Sequence, residues 1–187
     1  VFYMTDNKKD HMREWDFTMY NNQFEEISTQ TFLVDPSFEF GDFAMNDQTG
    51  HLYLLYGKEQ LGQGYPALDG YVGKFQVVDV DITKKSINSV KGEFLKKMHV
   101  SSFETIGENV YIGGYVVPSN GSLRVAACIY TCTCTIGGKR RFDILPYLIK
   151  VNTKGATEVA LPLTKQGEVL SIRYDSVAGK ALVTCIE

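Results

Sequence analysis

The segment Asp79-Val80-Asp81-Ile82-Thr83 alternates carboxylates as a calcium loop does. Such a loop needs glycine at its sixth position and a bidentate glutamate at its twelfth. Here those positions are Lys84 and Val90, so the two aspartates read as one face of a strand end, at a solvated sheet edge or turn. Gly62-Gln63-Gly64-Tyr65-Pro66-Ala67 has the letters of a dinucleotide fingerprint. That fingerprint must open a helix whose amides face a pyrophosphate, whereas Leu68-Asp69-Gly70-Tyr71-Val72-Gly73 follows, and the segment reads as a Gly-rich loop. A nucleophile would need a Ser or Cys on a tight turn beside a His base. No Gly-x-Ser-x-Gly occurs, and His11, His51 and His99 are scattered through loop or strand-edge contexts, which assigns them surface or structural roles.

Cys128, Cys132, Cys134 and Cys185 lack the paired Cys-x-x-Cys spacing of a zinc site. On a strand, residues two apart have Cα atoms about 6.6 Å from each other, near the limit for a disulfide. The thiols therefore read as buried small apolar side chains and define no redox compartment. Asn120-Gly121-Ser122 matches a glycosylation acceptor and equally an Asn-Gly hairpin turn, the reading adopted here.

Ligand contact is better sought in two long connections. Lys139-Arg140-Arg141 is a compact basic run suited to a phosphate or acidic ligand. Tyr65 and Tyr71 flank a Pro- and Gly-containing loop that also holds Asp69, and exposed aromatics of this kind stack on sugar rings or peptides. The sole tryptophan, Trp15, reads as packing between sheets.

The elements that carry these residues are strands. Helical periodicity is almost absent, and short alternating runs rich in Val, Ile, Tyr, Phe and Thr recur between Gly, Asn, Asp and Ser turns. One hairpin pattern spans Phe17–Ile27, Val78–Ile87 and Leu148–Val159, with Tyr20, Ile82 and Val151 spaced by 62 and 69 residues. A second spans Phe43–Leu54, Phe103–Ile112 and Ile172–Val183, and Phe2-Tyr3-Met4 looks like its second strand. Its anchors Tyr3, Tyr53, Tyr111 and Leu182 are spaced by 50, 58 and 71. Lettering the strands a to d, the chain reads b-c-d, a-b-c-d, a-b-c-d, a-b.

Tandem four-stranded antiparallel units are the building plan of β-propellers. The chain resembles a β-propeller of the broad WD- and kelch-like kind, closest in style to bacterial propeller-like proteins. The resemblance implies an all-β domain with approximate blades 1–34 (partial), 35–94, 95–163 and 164–187 (partial). Two full blades and two partial ones are too few to close a ring, so the expectation is an arc cut from a longer propeller. Propeller b-to-c connections lie on the usual binding face; here they are Gly57 to Gly70 and Val117 to Pro146, and residues 57–70 and 137–146 would carry the function.

Net charge is -3, with 19 Lys+Arg against 22 Asp+Glu, so no broad positive field favours nucleic acid. No apolar run approaches the roughly 20 residues of a membrane helix, and the opening residues lack a signal-peptide pattern. The expected function is a non-catalytic scaffold for a protein, peptide or carbohydrate ligand, without a cofactor, in a periplasmic or secreted setting with the targeting segment upstream of Val1. The alternative is a propeller-fold enzyme acting on glycans through carboxylates such as Asp42, Asp47 and Asp175, partly completed from outside this segment.

Overall fold

The computed structural model describes residues 2–7, 11–60, 70–116, 145–152, 155–159, 168–175 and 177–186. Twelve strands and no helix occur among them: β1 (Phe2–Asn7), β2 (Met12–Tyr20), β3 (Glu26–Val34), β4 (Glu39–Asn46), β5 (His51–Gln60), β6 (Gly70–Asp81), β7 (Ser86–Ile106), β8 (Asn109–Val116), β9 (Leu145–Asn152), β10 (Gly155–Glu158), β11 (Glu168–Asp175) and β12 (Lys180–Ile186). All pairings are antiparallel between chain neighbours, giving sheets β1-β2-β3, β4 to β10 in sequence order, and β11-β12. The fold is thus all-β, as the alternation predicts.

Local chemistry explains the turns. Gly107 (φ 59°) begins a two-residue connection between the paired residues Ile106 and Asn109, where positive φ suits a hairpin's twist. Asn46 closes the β4–β5 turn: its side-chain oxygen accepts the Gln48 and Thr49 amides, and its carbonyl accepts the Gly50 amide. Asp175 plays the same part before β12, accepting the Val177 and Ala178 amides.

Strand β7 organises the rest. Its residues 86–98 pair with β6 and residues 98–106 with β8, so Met98 is the changeover. A straight strand of its 21 residues would span about 65–70 Å. Yet Ser86 lies in a cross-strand row with Asp81, His51 and Asn46, and the Asn46 side-chain amide donates to the Gly107 carbonyl at 2.8 Å. Three strand spacings make that row only about 15 Å wide. Strand β7 therefore doubles back, and the seven-stranded sheet divides into two groups of four that share it.

Both faces of β5 and β6 in the first group are buried. Tyr53, Leu55, Phe75 and Val77 share a core with Phe103, Ile112, Ile149 and Val151 of the second group. Alternate residues Leu54, Tyr56, Val78 and Val80 pack instead against Phe17, Phe32 and Val34 of β2 and β3. Trp15 joins that second core, with its ring 5.6 Å from Tyr56. The far face of the second group meets β11 and β12 through Leu148, Tyr111, Ile172 and Val183. Burying each large apolar side chain contributes about 1.5–3 kcal/mol, so the four strand groups are held chiefly by face-to-face packing.

Candidate functional site

Of the residues singled out for ligand contact, Tyr65, Asp69, Lys139, Arg140 and Arg141 lie outside the described residues, as do Asn120 and Cys128, Cys132 and Cys134. Tyr71 is in β6, opposite Glu59 of β5 and Met98 of β7. The loop expected from residue 57 starts later, because β5 continues past an irregularity at Gly57/Glu59 and still pairs Gln60 with Gly70.

The pairing brings the two long connections to one place. Glu59, Tyr71, Met98, Val116 and Leu145 form a single cross-strand row through β5, β6, β7, β8 and β9. The described residues that flank segments 61–69 and 117–144, namely Gln60 and Gly70, Val116 and Leu145, lie at or next to this row, where β7 also changes partner. From Tyr71 to Leu145 is three strand spacings, about 15 Å. One position along, His99 pairs with Tyr115 and the two rings stack at 4.8 Å and 13°. The His99 Nδ1 is buried and has no hydrogen-bond partner among the described residues. This end of the sheet carries the stacked His99 and Tyr115 rings beside the strand ends that flank both connections.

The opposite, tight-turn end carries a polar cluster that local sequence reasoning missed. His51 opposes Asp81 across β5 and β6, with Asp79 two residues along on the same face. A carboxylate only accepts, so His51 Nδ1 donates to Asp79 Oδ1 at 2.7 Å; Nε2 stands 3.6 Å from Asp81 Oδ2. The imidazole also stacks on Tyr53, at 5.9 Å and 18°. Asp81 is not the solvated edge residue expected from its position: its side chain is only 6% exposed. It accepts the Lys84 backbone N–H at 2.8 Å and pairs with the Lys84 ammonium at 3.1 Å. The one signal for this cluster in the sequence is the single parity shared by Asp79 and Asp81.

The Lys84 backbone amide first, then the Lys84 side chain and His51, hold the Asp81 carboxyl below its ordinary value against the opposing effect of burial. The Tyr53 hydroxyl is pushed up to about 12, by burial and then by the nearby Asp79, Glu108 and Asp81 carboxylates. A carboxyl with a lowered folded pKa stabilises the fold above its unfolded value, and that stability is lost as pH falls through the folded one. Asp81→Asn is therefore expected to be less stable than the parent at pH 7 but to lose less stability between about pH 4 and pH 2. Urea midpoints across that range check this, and parallel curves for the two chains would refute it. Asp35 keeps part of the acid sensitivity, because the Ser37 hydroxyl and backbone amide also lower its carboxyl.

Two of the acids considered for glycan chemistry, Asp42 and Asp175, serve the backbone. Asp42 accepts the Phe43 amide at 2.8 Å. Asp175 caps its turn and pairs with Lys180 as Asn46 pairs with His51, so its counterpart in the β4–β5 hairpin is Asn46. Among the described residues no group of three or more His, Cys, Asp or Glu side chains is placed to hold a metal ion, and no helix is long and apolar enough to cross a membrane.

No family model matches the sequence, and no curated protein matches it. Among solved structures, a mutant of the Synechocystis apocarotenoid oxygenase superposes with a TM-score of 0.46 at 10% identity, over 98% of this chain and 45% of that one. The cobalt-substituted form of that oxygenase superposes with a TM-score of 0.45 at 10% identity over the same shares. The chain thus spans less than half the length of these structures.

Proposed function

We propose that the chain forms consecutive blades of a β-propeller-type array and acts as a non-catalytic scaffold, binding a protein, peptide or carbohydrate ligand where its long connections emerge. The observation that carries this reading is the shared row from Glu59 through Tyr71, Met98 and Val116 to Leu145. Connections 61–69 and 117–144 are separated in the chain by residues 70–116 and have no local reason to act together; the strand ends that flank them stand about 15 Å apart across the sheet, so they bound one surface. Loops on a rigid scaffold are where binding residues concentrate. Tyr65, Tyr71 and Asp69 would supply stacking and hydrogen bonds from one connection, and Lys139, Arg140 and Arg141 the positive charge from the other.

Amide chemical shifts followed during titration with hexaglutamate, and separately with chitohexaose, test the reading. One of the two is expected to give saturable shifts centred on Gly70–Gly73, Met98 and Val116. The affinity should fall at least tenfold in Tyr71→Ala, and for hexaglutamate also in the Lys139→Glu/Arg141→Glu variant. Shifts centred on His51 and Asp81, or none with either probe, would overturn it. Cleavage of chitohexaose would favour the glycan-processing alternative.

A further inference from the structure

Three positions are structurally equivalent in the a-b hairpins. Phe43 pairs with Leu54, Phe103 with Ile112 and Ile172 with Val183, in each case the residue after the anchor Tyr53, Tyr111 or Leu182. Their surroundings differ sharply: Phe103 is 7% exposed and Ile172 1%, whereas Phe43 is 60% exposed. The two buried members are covered by the first strand of the preceding group. Ala44 of β4 shares a core with Phe103. Strand β7 lies against β11, where Ser102 Oγ accepts the Ile172 amide at 3.1 Å.

Phe43 lacks that cover although the surface around it is an interface. Val78, Leu54 and Phe43 form one cross-strand row, and Val80, Leu52 and Met45 the next. β2 and β3 cover the β6 and β5 members of both rows. The β4 members stay bare, with Met45 50% exposed. The apolar interface therefore runs one strand further than its cover.

The register shows which strand would complete it. Tyr3 of β1 pairs with Asp16 of β2 as Tyr53 of β5 pairs with Asp79 of β6, so β1 is the counterpart of β5. The other edge of β5 holds β4; among the described residues the other edge of β1 holds nothing. An unpaired edge presents a row of unmatched amides and carbonyls ready for another strand.

We infer that Phe43, Met45 and the free edge of β1 together form the seat of a further β-strand of the same polypeptide, lying outside residues 1–187. That strand makes the β1–β3 sheet four-stranded and lays apolar side chains, two residues apart, on Phe43 and Met45. A second copy of the chain and an unrelated peptide are the competing occupants. The equivalence with Phe103 and Ile172, both covered from within the chain, selects the first. The inference stands on strand pairing and is independent of the ligand proposed above.

The register also supplies the test. Aligning Tyr3 with Tyr53 puts Val1 in the place of His51, so a copy of Glu39–Gly50 fused directly before Val1 provides an inner strand and its turn in phase. The fused chain is compared with one carrying a scrambled version of the same twelve residues. The expected result is a monomer in which alternate β1 amides exchange with deuterium at least tenfold more slowly than in the scrambled chain. Phe43→Asp should abolish that protection in the fused chain and leave exchange elsewhere in the parent unchanged, since Phe43 is exposed there. Equal exchange in fused and scrambled chains, or protection that survives Phe43→Asp, would overturn the inference. A parent chain that sediments as a dimer dispersed by Phe43→Asp would assign the seat to a second copy instead.

Discussion

Gly114→Ala is expected to cost about 3–5 kcal/mol, the upper range for a single substitution. Gly114 sits in β8 between Val100 of β7 and Tyr147 of β9. A Cβ there would overlap the His99 carbonyl oxygen and come within 2.9 Å of the His99 carbonyl carbon and 3.2 Å of the Val100 Cα. All three are backbone atoms, so no rotamer change relieves the overlap. The close approach coincides with the irregularity of β7 between Val100 and Ser102. Making room means parting β7 from β8, beside the fully buried Met98 and Ile112. Urea unfolding monitored by tyrosine and tryptophan fluorescence reads the cost directly. A loss under about 1 kcal/mol, within the range of an ordinary surface change, would mean the two strands stand further apart than described.

The second large effect lies at the centre of the core shared by the two four-stranded groups. Phe75 is fully buried, its ring 4.5 Å from Phe94 and directly over its cross-strand partner Gly92. A side chain at Gly92 would collide with that ring, so the glycine and the aromatic occupy one space between them. Phe75→Ala removes the ring and leaves a cavity, for an expected cost of about 3–5 kcal/mol. Gly92→Ala forces the ring aside, at about 1–3 kcal/mol. Because the added methyl would enter the space vacated by the ring, the double variant should be more stable than the sum of the two losses predicts, by about 1 kcal/mol or more. Strict additivity in this double-mutant cycle would show that Gly92 and Phe75 do not share that space.

The strands and hairpins were legible because their causes are local. In Val78–Ile87 and Phe103–Ile112 the turn residues and the alternation lie within a dozen positions, and antiparallel pairing follows from them. The seat at Phe43 was foreshadowed by the likeness of Phe2-Tyr3-Met4 to the second strand of the a-b hairpin. Other features depend on which strand faces which. Tyr53-Leu54-Leu55-Tyr56 is apolar at every position, so its sequence announces burial on both sides without saying that Tyr53 and Leu55 meet one group and Leu54 and Tyr56 another. Asp81 reads as a solvated edge residue because the His51 ring becomes its neighbour only when β5 and β6 are in register, whereas its other partner, the Lys84 amide, comes from the local turn. Likewise, β7 reads as one strand ending a unit and another beginning the next, and only the Asn46 contact with Gly107 shows that one continuous strand doubles back to serve both.

Composition, alternation and turn chemistry thus specify the all-β class and the order of hairpins, since each rests on interactions among residues close in the chain. Tertiary structure alone decides which faces meet, where both long connections emerge, and which apolar residues stay uncovered. Those outcomes depend on packing between residues about 30 to 70 positions apart, such as His51 with Asp79 and Ser102 with Ile172, and the length of chain between such partners leaves no mark in the local pattern of either.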